Sequence, residues 1–519
     1  MLRWLVLLVL TLGIVRPAGA QDSTRVQDSL RVQDSTLAPR PKTAATLSLS
    51  EAIEQAQRNS PTYRQVVNNA GPARWAVRNA YGNLLPQAQV STGVAYTGSG
   101  ESQFGAFFQN TSPFWGSNYQ LGLQWQLSGS TVTGPAQQKA LERATEEEIA
   151  DAGAALKFDV TSQYLVAAGA VAQTEVAREQ VRRNAEFLRL AQTRYRVGQA
   201  TLLDVRQAEA TQGASEVALL RAFQAENEAK LELFRRMGIV SPAAVEQVAL
   251  TDSFPVTQPT YQLDELLLMA EEQNPSLRAL RARQTAAGAA VRSARSEFLP
   301  SLTARAAWSG FTQQYTNLNS LIGQQLTSAQ SASAQCQFNN QVRSKLSLGG
   351  ATPDCFAPYG LDPSGTQLLG TTAESIRAQN NVFPFDFTHQ PFQASLTISL
   401  PIFTGFGRSL RLAQARANEQ DADESVRASA LQVRTNVQAR YLGVQTAYRA
   451  IGIQETSRAA AREQLRLAQD RYRVGLGTAL EVTDAQTAVQ RAEGDYVNAV
   501  YEYHRAVAAL EAAVGRPLR

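Results

Sequence analysis

The chain is written twice, and a duplication constrains the fold more than any local pattern, because two copies of one unit must satisfy the same packing rules. LRLAQTRYRVG at 188–198 returns as LRLAQDRYRVG at 465–475, an offset of 277 that persists without gaps to Gly238 and Gly515. An earlier pair, Leu49 through Pro61 to Pro86, matches Leu263 through Pro275 to Pro300 at an offset of 214. The offsets differ because the second copy holds an insert between about Trp308 and Phe392. Two structural repeats are expected, over 47–248 and 249–519.

Ahead of them, Arg3 precedes an apolar run from Trp4 to Val15, and Ala18 and Ala20 have small-x-small spacing. This pattern predicts a signal peptide over 1–20; the alternative, a membrane anchor, would need about 20 apolar residues. Gln21 rather than Cys follows the cleavage site, so no lipid anchor is expected. The polar repeat QDSTRVQDSLRVQDST then predicts a disordered tail over 21–46.

After Pro86 and Pro300 the period switches to two. Tyr119, Leu121, Leu123, Trp125 and Leu127 alternate with Gln120, Gly122, Gln124 and Gln126. Similar alternation predicts strands at about 87–97, 119–127, 301–309 and 392–400. Strands of about ten residues, apolar on one face and polar on the other, suit a membrane β-barrel, although a half-buried sheet in a soluble sandwich alternates likewise. Four strands cannot enclose a barrel, and open edges in lipid would leave backbone groups unsatisfied, so a barrel requires several copies.

From about Pro135 to Arg196 there is no further proline, which predicts one helix of roughly 90 Å at 1.5 Å per residue. A turn is expected at Val197-Gly198, with a second helix returning to about Gly238; the second copy repeats this from about Ser409 through Gly475 to Gly515. Ala208, Ser215, Ala222 and Ala229 in one returning helix, and Ala485, Ala492, Ala499 and Ala506 in the other, recur every seven residues. Val482, Val489, Tyr496, Tyr503 and Leu510 accompany the second series, as coiled-coil packing requires; an ordinary helical bundle is the alternative. The expected fold is mostly α with a membrane β-barrel: long coiled-coil hairpins plus four strands per chain.

The helix opening LSLSEAIEQAQRNSP, the junction SLPIFTGFGRSLRLAQARA and the twice-written RYRVG resemble the TolC-type outer-membrane efflux proteins from about Leu47 to Leu518. The resemblance implies a homotrimer with a twelve-stranded barrel in outer-membrane lipid and a helical tunnel in the periplasm. It also implies a periplasmic adaptor and an inner-membrane pump as partners, in a tripartite efflux or type I secretion system. The channel itself would be passive, neither an enzyme nor the holder of a cofactor.

By that resemblance the hairpin tips, Tyr195, Val197, Gly198, Tyr472, Val474, Gly475 and Leu476, would meet the adaptor, with Gln199 departing from the apolar-Gly-Leu pattern. Asp204, Glu481 and Asp484 would ring the periplasmic entrance, while Gln207 replaces the second acid of the first copy. Positions three apart share a helix face, so copies around one axis would gather carboxylates and focus a negative potential. The alternative is that these acids are solvated or paired with Arg471 or Arg473.

The polar insert should lie on the extracellular side. In an exported chain its Cys336 and Cys355 are expected to form a disulfide, rather than remain two unrelated surface thiols. A periplasmic adaptor, the chief alternative, would carry one hairpin beside small β-domains. Against an enzyme, the chain holds only His389 and His504, with no H-E-x-x-H, G-x-S-x-G or P-loop pattern and no metal-ligand cluster. His504 is expected to be packed on its helix. The formal charge of +4 gives no case for nucleic acid.

Overall fold

The computed structural model describes residues 46–104, 107–346 and 349–518, with side chains left out of account over 101–111. The expected signal peptide, and all but the last residue of the expected tail, lie outside them.

Each copy opens with a short helical run. Leu49–Asn59 (α1), Pro61–Val67 (α2) and Ala70–Gly82 (α3) in the first correspond to Leu263–Gln273 (α4) and Pro275–Ser296 (α5) in the second. Ser48 begins α1 with a capping box closed by Glu51, whose carboxyl the Ser48 backbone and hydroxyl hold below its ordinary value. Pro61 and Pro275 stand at the first helical position, where a missing N–H costs nothing.

Gln87–Thr97 (β1), Phe114–Leu127 (β2), Ser301–Tyr315 (β3) and Gln393–Ser399 (β4) form an antiparallel sheet in that order. β2 and β3 run further than the alternation suggested, since they stay paired from Leu127↔Leu302 to Phe114↔Tyr315. Side chains on one face are apolar, as in the rows Val90–Leu121–Trp308 and Trp125–Ala304–Leu396; those on the other are polar, as in Gln126–Thr303–Thr397. Leu396 and Ile398 are about 70% exposed, so nothing in this chain covers the apolar face there. A slip of one residue at Gln390-Pro391-Phe392 separates β4 from Thr388–His389, which pairs with Gly310 and Phe311. The Gln390 amide still donates to the Ser309 carbonyl at 2.9 Å, leaving the proline without a ladder bond to make.

The insert is not a plain loop. It contains Asn319–Lys345 (α6) and Gly370–Gln379 (α7), and Cys336 and Cys355 are joined in a disulfide. The chain then returns as a strap across the apolar-side face of the distal sheet. Ser117 Oγ donates to the Pro384 carbonyl at 2.6 Å, the Trp115 and Phe383 rings lie 5.7 Å apart, and Tyr119 bonds His389 Nδ1 at 2.7 Å. Gly310 makes room for this, because a Cβ there would come 2.4 Å from the Tyr119 ring.

The long helices follow the strands. Gly129–Arg196 (α8) and Leu202–Met237 (α9) form the first hairpin, Gly407–Arg473 (α10) and Ala479–Val514 (α11) the second. With 68 and 67 residues, α8 and α10 each reach about 100 Å. α8 starts before the expected Pro135, which sits inside it: Ser128 and Thr131 close a capping box, and only glycine fits at 129, where a Cβ would meet the Ser296 carbonyl. α10 starts after Gly405 and Phe406, both at positive φ, and the buried Arg408 ties its entry to the carbonyls of Glu297 and Pro401.

The duplication is legible in the cores. Ala52, Ala56, Leu156, Val160, Leu233 and Met237 are buried together; so are their counterparts Leu266, Ala270, Val433, Val437, Leu510 and Val514. Gly238 and Gly515 end the returning helices at φ +73° and +87°, and a Cβ at either would strike the backbone entering the proline-started helix. His504 is packed as expected, with Nε2 3.0 Å from the Phe254 carbonyl. Among the described residues no helix is long and apolar enough to cross a membrane.

Candidate functional site

At the far end from the sheet the two copies share one core. Phe187, Ala191, Val205 and Ala208 of the first hairpin pack with Leu465, Ala468, Tyr472, Ala479, Val482 and Ala485 of the second. α8 supplies the meeting surface, since it packs against both α9 and α11. Glu493 on α11 bridges the helices further in, accepting from Arg183 of α8 and Arg462 of α10, each at 2.9 Å.

Both turns close alike. In the first, Gly198 N donates to the Tyr195 carbonyl at 3.0 Å and Gln199 N to the Arg194 carbonyl at 2.8 Å. In the second, Gly475 N donates to Tyr472 at 3.1 Å and Leu476 N to Arg471 at 2.9 Å. These paired bonds satisfy the last helical carbonyls and need a left-handed residue, which Gly198 and Gly475 supply at φ +74° and +82°. Arg194 and Arg471 then reach over their own turns to the carbonyls of Gln199 and Leu476.

The motif tyrosines part company here. Tyr195 is 45% exposed, whereas Tyr472 is 3% exposed, its ring 5.4 Å from Phe187 and beneath the Arg194 guanidinium at 4.6 Å. Burial first, then the charge of Asp204, pushes the Tyr472 hydroxyl above its ordinary value. Tyr472 is thus interior packing, and the surface contact expected of it does not fit. Val197, Val474 and Leu476 are each more than 60% exposed and offer the apolar tips. Arg194 and Phe187 carry much of this geometry without having drawn attention in the sequence, whereas Arg471 was noted there only as an ion-pair partner of the acids and not for closing its turn.

The acids differ as well. Asp204 Oδ2 accepts from the Thr201 amide at 2.8 Å and from its hydroxyl at 2.9 Å, so it closes the capping box of α9. Thr478 caps α11 by accepting from the Glu481 amide, but the Glu481 carboxylate turns instead to Arg471, 3.8 Å away. Asp484 is exposed one turn along on the same face and makes no ion pair among the described residues. Gly477 lets the turn approach closely, since a Cβ there would lie 3.1 Å from Glu481 Oε2.

A two-faced sheet continued by paired hairpins whose longer helices reach about 100 Å is the architecture of outer-membrane efflux channels. A family model described as outer membrane efflux protein matches residues 52–238 and 367–516, and the chain belongs to that family, whose members are transport ducts and not enzymes. Solved structures with the same fold include the outer-membrane channel OprN, at 17% identity and TM-score 0.65, covering 90% of this chain and 89% of that one. The outer membrane protein VceC of Vibrio cholerae is 18% identical, with TM-score 0.63 and coverage of 91% and 97%. The open-state MtrE channel of Neisseria gonorrhoeae is 19% identical, with TM-score 0.61 and coverage of 97% and 98%. No curated protein sequence matches significantly.

Proposed function

We propose that three copies of this chain close twelve strands, β1–β4 from each, into one barrel in the outer membrane, continued by their hairpins as a periplasmic tunnel. The observation that carries this is a sheet with an exposed apolar face, a polar opposite face and no strand on the outer edge of β1 or β4 among the described residues. Left as a monomer it would expose unpaired edges and a wall of Val, Leu, Ile and Trp; joined edge to edge in lipid, both needs are met. The duct is passive, serving a tripartite efflux or type I secretion system. Val197, Val474 and Leu476 meet a periplasmic adaptor, and an inner-membrane pump supplies the energy. Two hairpins beside membrane-type strands favour this over the adaptor itself.

Asp484 and Glu481 supply the negative ring at the inner entrance, Glu481 in part offset by Arg471 beside it, and Asp204 adds less because its carboxylate is engaged as a cap. Detergent-extracted protein should be a trimer that conducts in planar bilayers, with current reduced by multivalent cations added on the tunnel side. Neutralising Glu481 and Asp484 together should weaken that block by about tenfold. A water-soluble monomer would overturn the channel reading, and unchanged block would overturn the ring.

A further inference from the structure

Among the strand residues of β1–β4, Arg305 is the only Asp, Glu, Lys or Arg. It lies on the polar face, in the row Gln87–Gln124–Arg305–Ser395, while Ala304 and Ala306 on either side belong to the apolar one. Its side chain is exposed and makes no hydrogen bond or ion pair among the described residues. A guanidinium stays charged at any physiological pH, so this is one fixed positive charge on an otherwise neutral wall.

We propose that Arg305 and its two symmetry copies form a ring in the barrel lumen that binds small anions of the carboxylate and phosphate class. The ring rests on the trimeric-barrel reading. Symmetry itself argues that the charge stays uncompensated: a neighbouring copy can bring only these same strands, and they contain no acid. The insert leaves β3 beyond Tyr315, ten residues or about 33 Å further along the strand, and the acid nearest on its return, Asp386, belongs to the strap on the opposite, apolar-side face. On the tunnel side Glu297 is already paired with Arg411 at 2.7 Å. The flanking Gln124 amide and Ser395 hydroxyl add neutral donors one strand away on each side, next to a planar fork that matches carboxylate and phosphate oxygens. A narrow lumen with low-dielectric walls strengthens the attraction, and its sign is opposite to that of the acids at the tunnel's other end.

The test uses full-length trimers in planar bilayers, with inorganic pyrophosphate added to the barrel side. The wild-type single-channel current should fall, Arg305→Lys should retain the block, and Arg305→Gln should raise the half-blocking concentration by about tenfold while moving the reversal potential in a KCl gradient towards cation preference. Equal block of the wild type and of conducting Arg305→Gln pores overturns the ring and leaves the barrel standing. Wild-type trimers that never conduct overturn both. Should Arg305→Gln fail to assemble, Arg305→Lys blocked no better than a pore without added pyrophosphate would overturn the ring on its own.

Discussion

The two hairpin tips begin from nearly the same eleven residues and end in different chemistry. The first keeps its tyrosine outside and folds its acid into a cap; the second buries its tyrosine and leaves its acids facing outward. Sequence identity therefore fixes the shape of the turn, through Gly198 and Gly475, but not the role of its neighbours. That role follows from the second partners: near the tips α8 packs against both α9 and α11, whereas the second neighbour of α10, the helix α5, lies at the sheet end. Tyr472, at the end of α10, is pressed against α8; Tyr195, at the end of α8 itself, points away from the shared core.

Two substitution pairs and one single substitution would break or sharpen this contrast. Tyr472→Ala should open a cavity and destabilise the tip by about 3–4 kcal/mol, while Tyr195→Ala should fall within about 0.5 kcal/mol of the parent. Hydrogen exchange of the tip amides reads the difference, and equal loss of protection in both variants would refute the asymmetry. Next in size, Glu493→Ala should cost about 3 kcal/mol by leaving Arg183 and Arg462 without their shared carboxylate. Its counterpart Glu216 is exposed and, among the described residues, bonded only to Gln212, so Glu216→Ala should be nearly silent in thermal unfolding.

The smallest effect concerns acid. In the first copy Arg235, and then Arg236, hold the Glu232 carboxyl down to about 2 from an ordinary 4.5, whereas Ala509 stands at the matching place in the second. A carboxyl whose folded value lies below its unfolded one stabilises above about 4.5, and that contribution is lost as pH falls towards about 2. Glu232→Gln should flatten the decline in stability over this window by less than about 1 kcal/mol, because the pair is partly solvated. An unchanged acid profile would show that the ion pair contributes nothing.

Much of this fold could be read in advance because duplication, glycine stops and alternation are local or self-referential signals. The parts that escaped were of another kind. α6 has Gln, Ser, Ala and Asn spread round it with no apolar stripe, so nothing in its periodicity marked a helix. The outer halves of β2 and β3 lost their alternation at Gly310, Thr312 and Ser117, where the strap rather than lipid or water is the neighbour. At the site, the turn residues were legible, but the burial of Tyr472 and the capping duty of Asp204 depend on contacts between distant segments. Phe406 at φ 62° was equally silent, since nothing local in a bulky residue marks a positive φ; its ring lies 5.4 Å from that of Phe403.

The strap has a consequence for the bilayer. It lies over β2 and β3 from Tyr119 outward, while Val94 and Tyr96 of β1 at the same level stay more than half exposed. In the proposed barrel, polypeptide and not lipid would cover β2 and β3 above Tyr119, so the strap would set the outer limit of lipid contact on those two strands. A thicker layer would there meet the strap on two strands and bare Val94 and Tyr96 on the third, so lipid thickness would bear on the posture of the insert in that arrangement.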